Sequence, residues 1–271
     1  MGRPVITLLT DFGLKDPYVA SMKGVILTIC PEAVVIDISH EVPKFDVRAG
    51  ALVMAQAAPW FPKGTVHVGV VDPGVGTARR AIVAVSEHYV FVGPDNGLLM
   101  LAAARDGLKA VYAVEKRDLM LERVSRTFHG RDIFAPVAAR IASGLEPSEV
   151  GPEISDYVLP GFARPELRGR RITGEVMYID GFGNIVTNVP EELLAEAGAS
   201  DGSELLVKIG GRRLGLRLCS AYGEVEPGSM LAIVDSWGML EIAINLGSAA
   251  KALGARPGEP VVVELAGEGG T

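Results

Sequence analysis

This chain has few of the residues that cross-link proteins or capture metals. Cysteine occurs twice in 271 residues, at Cys30 and Cys219. Two cysteines cannot build the disulfide framework of a small secreted domain, and in their apolar surroundings both read as reduced core residues. The four histidines, His40, His67, His88 and His129, show no metal-ligand spacing, so no metal site is expected. No apolar run approaches the ~18 residues that span a bilayer. The start, MGRPVITLLTDFG, has no apolar signal-peptide core, and Ile6 breaks the acylation pattern that Gly2 suggests. A cytoplasmic protein without a membrane partner is the expectation. Basic residues are also short: 26 against 33 acidic ones, a formal charge of −7, which argues against nucleic acid as principal partner. Arg168, Arg170 and Arg171, like Arg212, Arg213 and Arg217, lack interleaved aromatics and read as solvated strand faces. Missing too are a Walker loop, a G-x-S-x-G elbow and a Cys/His pairing.

What is present is apolar mass. A 48% hydrophobic share beside 22% charged residues excludes a disordered chain, and this length buries roughly 75% of the unfolded surface. Strand and helix signals alternate through the first half. Residues 5–9 are an apolar run. Asp16-Pro17 reads as a helix start, with Asp16 capping, and Val19, Met22, Ile26 and Ile29 recur at helical spacing until Pro31. Residues 34–38 read as a buried strand, Asp46 opens a second helix, and residues 65–71 form a strand. Residues 81–85 and 89–92 suggest a hairpin, followed by a helix at 98–105, a strand at 110–114 and a helix at 132–143 capped by Asp132. The pattern predicts an α/β fold whose N-terminal domain is a largely parallel sheet with helices on both faces.

After Leu159-Pro160-Gly161 the rhythm changes to short strands at 172–179, 185–187, 204–209, 214–218, 230–234, 240–244 and 261–264, with short helices near 191–197 and 248–253. That predicts a smaller C-terminal antiparallel β-barrel or sandwich. The expected domains are 1–165 and 166–271, with the terminal Gly-Glu-Gly-Gly-Thr frayed.

Ligands in such sheets bind beyond the carboxyl ends of the strands. Three polar clusters fall there: Thr10-Asp11-Phe12-Gly13 with Asp16, Asp72-Pro73-Gly74-Val75-Gly76 with Arg79, and Pro94-Asp95-Asn96-Gly97. Each alone reads as a turn; three together point to a site. Gly74-Val75-Gly76 lacks the third glycine and the following helix of a dinucleotide fingerprint. His129, beside Gly130 at a helix entrance, suits a general base or is ordinary helix-entrance decoration; its neighbours leave both open. In the second half, Asp180-Gly181-Phe182-Gly183-Asn184 offers a carboxylate, an aromatic face and an amide, a set that suits a nucleobase. The Asp235-Ser236-Trp237-Gly238 turn leads into a strand in which Glu241 reads as outward alternation.

Taken in order, these motifs, with Phe128-His129-Gly130-Arg131-Asp132 and Ser236-Trp237-Gly238-Met239-Leu240-Glu241, resemble the S-adenosyl-L-methionine (SAM) hydroxide adenosyltransferases, or SAM hydrolases, relatives of fluorinase and chlorinase. The resemblance covers nearly the whole chain. It implies hydrolysis of SAM to adenosine and L-methionine by water-derived hydroxide at the 5′ carbon, without metal or organic cofactor. It also implies a homotrimer holding SAM between the N-terminal domain of one subunit and the C-terminal domain of its neighbour. Carried over residue by residue, it makes Asp72, Arg79 and His129 catalytic: Asp72 orients the water, Arg79 lowers its pKa and His129 takes or relays the proton. It gives substrate binding to Asp11 (ribose hydroxyls), Asp16 and Asp180 (methionine end, Asp180 at the ammonium), Phe45 (ribose face), Phe182 and Asn184 (adenine), Ser236 (methionine carboxylate), Asn96 and Glu241. The halogenases carry tyrosine where Asp72 stands and lack the Arg79/His129 combination, and fluorinase also has an insertion near residues 86–89 that is absent here. Trp237 replaces an arginine that holds the methionine carboxylate in fluorinase. A carboxylate in the nucleophile pocket repels halide and accepts a hydrogen bond from water, which favours hydrolysis over a halide-dependent 5′-halo-5′-deoxyadenosine synthase. A non-catalytic SAM or adenosine sensor stays open as the other alternative, since sequence alone does not separate it from a slow enzyme.

Overall fold

The computed structural model describes residues 2–162 and 164–265; the Gly-Glu-Gly-Gly-Thr tail lies outside the described residues. The chain divides into two compact units, Met1–Gly161 and Phe162–Thr271, and each has its own apolar core.

The first unit runs β1 (Val5–Thr10), α1 (Tyr18–Ile29), β2 (Val34–Ser39), α2 (Val47–Ala57), β3 (Val66–Val70), β4 (Ala81–Val85), β5 (Val90–Pro94), α3 (Met100–Arg105), β6 (Ala110–Ala113) and α4 (Ala135–Ala142). Its sheet has the order β2-β1-β3-β5-β4-β6. The first four strands of that order are parallel, and β4 is antiparallel to both β5 and β6. The predicted hairpin is therefore β4–β5, and the largely parallel sheet is present. Met22 and Ile26 of α1 and Val137 and Ile141 of α4 join Ile6, Leu8, Val68 and Val70 in one core. On the other face Gly69 lets Met54 of α2 close on the sheet together with Leu98 and Leu99, since a Cβ there would lie 3.0–3.2 Å from those side chains. Helices thus cover both faces.

Three local expectations are corrected. Asp16 caps nothing: Pro17 takes the N-cap place of α1 at φ −77° and ψ 5°, with no side-chain cap, so Asp16 stands one residue too early to reach the free N–H groups. Asp46, by contrast, does cap α2, accepting from Ala49 N at 2.9 Å. Asp132 is not a cap either. A π-helical turn, Gly130–Phe134, precedes α4, and the fully buried Asp132 carboxylate accepts from Ser125 N at 2.8 Å. Finally, β2 is only half-buried, with a central exposed pair, because it lies at the edge of the sheet.

The second unit runs β7 (Glu166–Arg168), β8 (Arg171–Ile179), β9 (Ile185–Pro190), α5 (Glu191–Glu196), β10 (Glu204–Ile209), β11 (Arg212–Cys219), β12 (Met230–Val234), β13 (Met239–Ile244), α6 (Ala249–Leu253) and β14 (Pro260–Leu265). The order β14-β10-β11-β12-β13-β9-β8 closes through a β14–β8 pairing into a barrel, and β7 adds to β8. Alternation fills the interior: Leu205 and Val207, Leu216 and Leu218, and Val261 and Val263 point inward. The intervening Arg213 and Arg217 are exposed, as the solvated-face reading expects. One pairing departs from the antiparallel expectation, since β11 and β12 run parallel. They are joined by the long segment 220–229 rather than a tight turn, and parallel neighbours need such a crossover.

Candidate active site

From β1 the chain moves through α1 to β2 at the sheet edge, then returns through α2 to β3 on the other side of β1. The carboxyl ends of β1 and β3 are therefore the switch point where α/β sheets bind ligands. A cavity of about 360 Å³ opens there, lined among others by Asp11, Asp16, Phe45, Asp72, Phe128 and His129.

Asp72 follows β3, and the loop after it doubles back through Val75 N to Asp72 O and Thr77 N to Gly74 O, both 3.2 Å. Gly76, at φ +76°, lets the loop sit against Arg126: a Cβ there would be 2.2 Å from Arg126 O. This contact seats Arg79 beside the segment carrying His129. Arg79 Nε donates to Asp72 Oδ1 at 2.9 Å and Oδ2 at 3.1 Å, and Nη2 also donates to Oδ2. The same Nη2 lies 2.9 Å from His129 Nδ1. Both side chains of the ion pair are nearly buried, 11% and 5% exposed, and the guanidinium rests 5.1 Å over the Phe134 ring. A guanidinium can only donate, so Nδ1 is the acceptor and the ring proton sits on Nε2. Burial, then the positive charge of Arg79, hold the His129 pKa below its ordinary value, so the imidazole is neutral at pH 7. Carboxylate, guanidinium and neutral imidazole thus form one connected row: an acceptor, a fixed cation and a weak base.

The Asp11 carboxylate, 5% exposed, is held by Phe45 N donating to Oδ2 at 2.9 Å, while Lys44 Nζ donates to the Asp11 carbonyl. Phe45 makes this contact from a left-handed backbone, φ +66°, with its ring 69% exposed. Strain of this kind gathers where a segment must aim a group. Asp16 is an exposed carboxylate on the wall. Phe12, Tyr18 and Phe128 form an edge-to-face wall with centroids 5.2–5.9 Å apart. Behind it Arg131 covers Phe128 at 4.9 Å and pairs with Asp132 at 2.6 Å. The π turn makes this possible by setting the residues from Gly130 to Phe134 off the regular helical spacing. Asn96 does not line the cavity; its amide donates to Val71 O at 2.9 Å and its oxygen accepts from Leu98 N, fixing the backbone just before Asp72.

The second unit has its own cavity of about 510 Å³, lined by Asp180, Phe182, Asn184, Tyr222, Asn245 and Leu246, among others. Asp180 is the organiser: Oδ1 accepts from Phe182 N and Asn184 N at 2.9 and 2.8 Å, and Oδ2 accepts from Asn184 Nδ2 at 3.1 Å. The Asn184 amide oxygen is thereby turned away from the carboxylate, while the Phe182 ring is 82% exposed. Glu241 lies behind the cavity at 3% exposure and accepts from Tyr222 OH at 2.8 Å. Burial, with Asp180 and Asp235 nearby, pushes its pKa up to about 7 against the opposing Tyr222 hydrogen bond. It is therefore not the outward alternation its strand suggests. Ser236 is exposed in the β12–β13 turn that Asp235 ties through Trp237 N and Met239 N. Among the described residues, no three His, Cys, Asp or Glu side chains gather to hold a metal ion, and no helix is long and apolar enough to cross a membrane.

Sequence reasoning missed Lys44, Tyr18, Tyr222 and Leu246 as cavity residues. Lys44 and Tyr18 adjoin positions it named; Tyr222 and Leu246 carry no motif, and Leu246 shows only through its φ of +54°.

Residues 6–151 match the SAM hydroxide adenosyltransferase N-terminal domain and residues 174–262 the SAM hydroxide adenosyltransferase C-terminal domain. The chain is 44% identical over 261 residues to the (R)-S-adenosyl-L-methionine hydrolase of Salinispora tropica, covering 94% of this chain and 96% of that relative. It is 41% identical to the enzyme of that name from Thermus thermophilus, covering 96% and 98%. Against the fluorinase of Nocardia brasiliensis the identity is 29%, with 97% of each chain covered. An uncharacterized conserved protein from Thermotoga maritima, known from its crystal structure, superposes with a TM-score of 0.91 at 40% identity, covering 95% and 99%. The chain belongs to the SAM hydroxide adenosyltransferase family.

Proposed function

We propose that this enzyme hydrolyses SAM, in the (R) sulfonium form named for its relatives, to adenosine and L-methionine. The single observation that carries the reading is the connected row Asp72–Arg79–His129, whose two ends, Asp72 and His129, line the switch-point cavity while Arg79 joins them. Water supplies the nucleophile: its oxygen forms a bond to C5′ while the C5′–S bond breaks and both electrons go to sulfur. The leaving group is a neutral thioether, so no acid is needed. One proton must leave the water, whose pKa in bulk is about 15.7. A free lone pair of Asp72 accepts a hydrogen bond from that water, and Arg79 stabilises developing hydroxide. The neutral His129 receives the proton at Nδ1 once Arg79 turns to the new anion, or passes it on to solvent. Attack of an anion on a sulfonium removes charge, so a closed, dry cavity speeds it.

Asp11 is the ribose-gripping carboxylate, with the Phe45 ring against the sugar. Phe182 and Asn184 take the adenine. Asp16, Asp180 and Ser236 serve the methionine portion, and Glu241 supports the C-terminal cavity from behind through Tyr222. The same proposal makes the protein a homotrimer in which the C-terminal cavity of one subunit meets the N-terminal cavity of the next. Exposed apolar residues around each support it: Phe45 and Tyr18 on one, Phe182 and Leu246 on the other. A cytoplasmic setting, in keeping with two free buried thiols, completes it. The test is incubation of purified protein with SAM and chromatography of the products. Adenosine and methionine in equal amounts support the reading; a halide-dependent 5′-halo nucleoside, or tight binding without turnover, replaces it.

A further inference from the structure

Thr10, which ends β1, is fully buried, and its Oγ1 accepts from Phe12 N at 3.1 Å while lying 2.9 Å from His40 Nδ1. The carbonyl of the same His40 accepts from Gly13 N at 2.7 Å. One residue therefore holds both ends of the segment that carries Asp11, by its ring at Thr10 and by its backbone at Gly13. His40 is 4% exposed, and its Nε2 lies 3.0 Å from Asp37 Oδ1. Asp37 in turn pairs with Lys23 at 2.6 Å. Irregular pairing brings Asp37 and His40 together: β1 and β2 slip register between Leu8, opposite Asp37, and Leu9, opposite Ser39. A bulge of this kind re-aims side chains beside a site.

The partners fix the tautomer. The Asp37 carboxylate at 3.0 Å repels a ring lone pair, so His40 Nε2 carries the proton through an electrostatic contact rather than a hydrogen bond. Nδ1 then accepts the Thr10 hydroxyl, whose lone pair is left for Phe12 N–H. We propose that His40 is a positioning residue for nucleoside binding. Held by Asp37, it fixes Thr10 and Gly13 and so aims the Asp11 carboxylate at the ribose. This rests on the ribose role given to Asp11 above.

The test uses the full chain, with adenosine binding measured by calorimetry and KM and kcat measured for SAM. His40→Gln keeps an amide at the Nε2 position but removes the acceptor for Thr10. Thr10→Val removes the hydroxyl at equal volume. Each is expected to weaken adenosine binding and raise KM about tenfold, with kcat changed less than KM. The double variant is expected to be no worse than either single one, because both delete one contact. His40→Asn, whose amide oxygen falls near Nδ1, is expected to recover most of the loss. Asp11→Asn separates the layers. If Asp11→Asn weakens adenosine binding but His40→Gln and Thr10→Val do not, the role of His40 is overturned alone. If Asp11→Asn leaves binding unchanged, the ribose role of Asp11 falls and this proposal with it. Losses that track melting temperature, equal in all three variants at position 10 or 40, assign His40 to stability only and overturn the proposal.

Discussion

Arg79 serves two partners from a single nitrogen: Nη2 donates to Asp72 Oδ2 and stands 2.9 Å from His129 Nδ1. The arrangement leaves the imidazole neutral and ties its state to the same cation that would meet a developing hydroxide.

The pH profile follows. Burial and Arg79 lower the His129 pKa, so the neutral base extends to the acid side of an ordinary imidazole's range. Activity per SAM molecule, read as kcat/KM, is expected to be level near neutrality and to fall only on the acid side of 6.5. In Arg79→Lys, where a single point charge replaces the fork, that acid limb is expected to move toward higher pH. An unmoved limb would detach His129 from Arg79.

Asp72→Asn keeps the size of the side chain and removes its charge. Its kcat is expected to fall about 100-fold or more, with adenosine affinity within about threefold of the parent. A change in affinity with unaltered kcat would make Asp72 a binding group.

Phe45 sits at φ +66° with its ring in solvent. Phe45→Ala and Phe45→Gly both delete the ring and differ in tolerance of that φ. Glycine is expected to be the more stable variant by about 1 kcal/mol in chemical denaturation, while both raise KM alike. Equal stabilities would remove backbone strain from the account.

Two buried groups give opposite pH slopes of stability. Burial lowers the His67 pKa to about 4, so the unfolded chain binds more protons and stability is lost as pH falls from about 6.5 toward 4. Glu241 is raised to about 7 by burial first, so the folded chain binds more protons and stability is lost as pH rises from about 4.5 toward 7. His67→Phe should flatten the first slope and Glu241→Gln, which keeps an acceptor for Tyr222, the second. Denaturation midpoints against pH test both.

Much of the candidate site was legible because its carboxylates sit where strands end. Asp11 and Asp72 follow β1 and β3, and apolar runs mark those strands plainly. Helix starts were less legible. Asp16 and Asp132 have capping chemistry, yet the chain spends one lining a cavity and the other under a π turn, because Pro17 and the Phe128–Phe134 packing set the local backbone. A single sequence shows who has the chemistry to cap, not which backbone groups come within reach. Long-range neighbours were least legible. Glu241 alternates like a surface residue, and only barrel closure and the 220–229 crossover set Tyr222 against it. The Thr10–His40 contact likewise depends on a register slip that no local pattern announces.

Hydrolysis in heavy-oxygen water reads the central claim directly, because it reports which carbon the water attacks. The account predicts one heavy oxygen in the 5′ hydroxyl of adenosine and none in methionine, with the same labelled product formed about 100-fold more slowly, or slower still, in Asp72→Asn. Adenosine without the label, or label in a homoserine product instead, would contradict it.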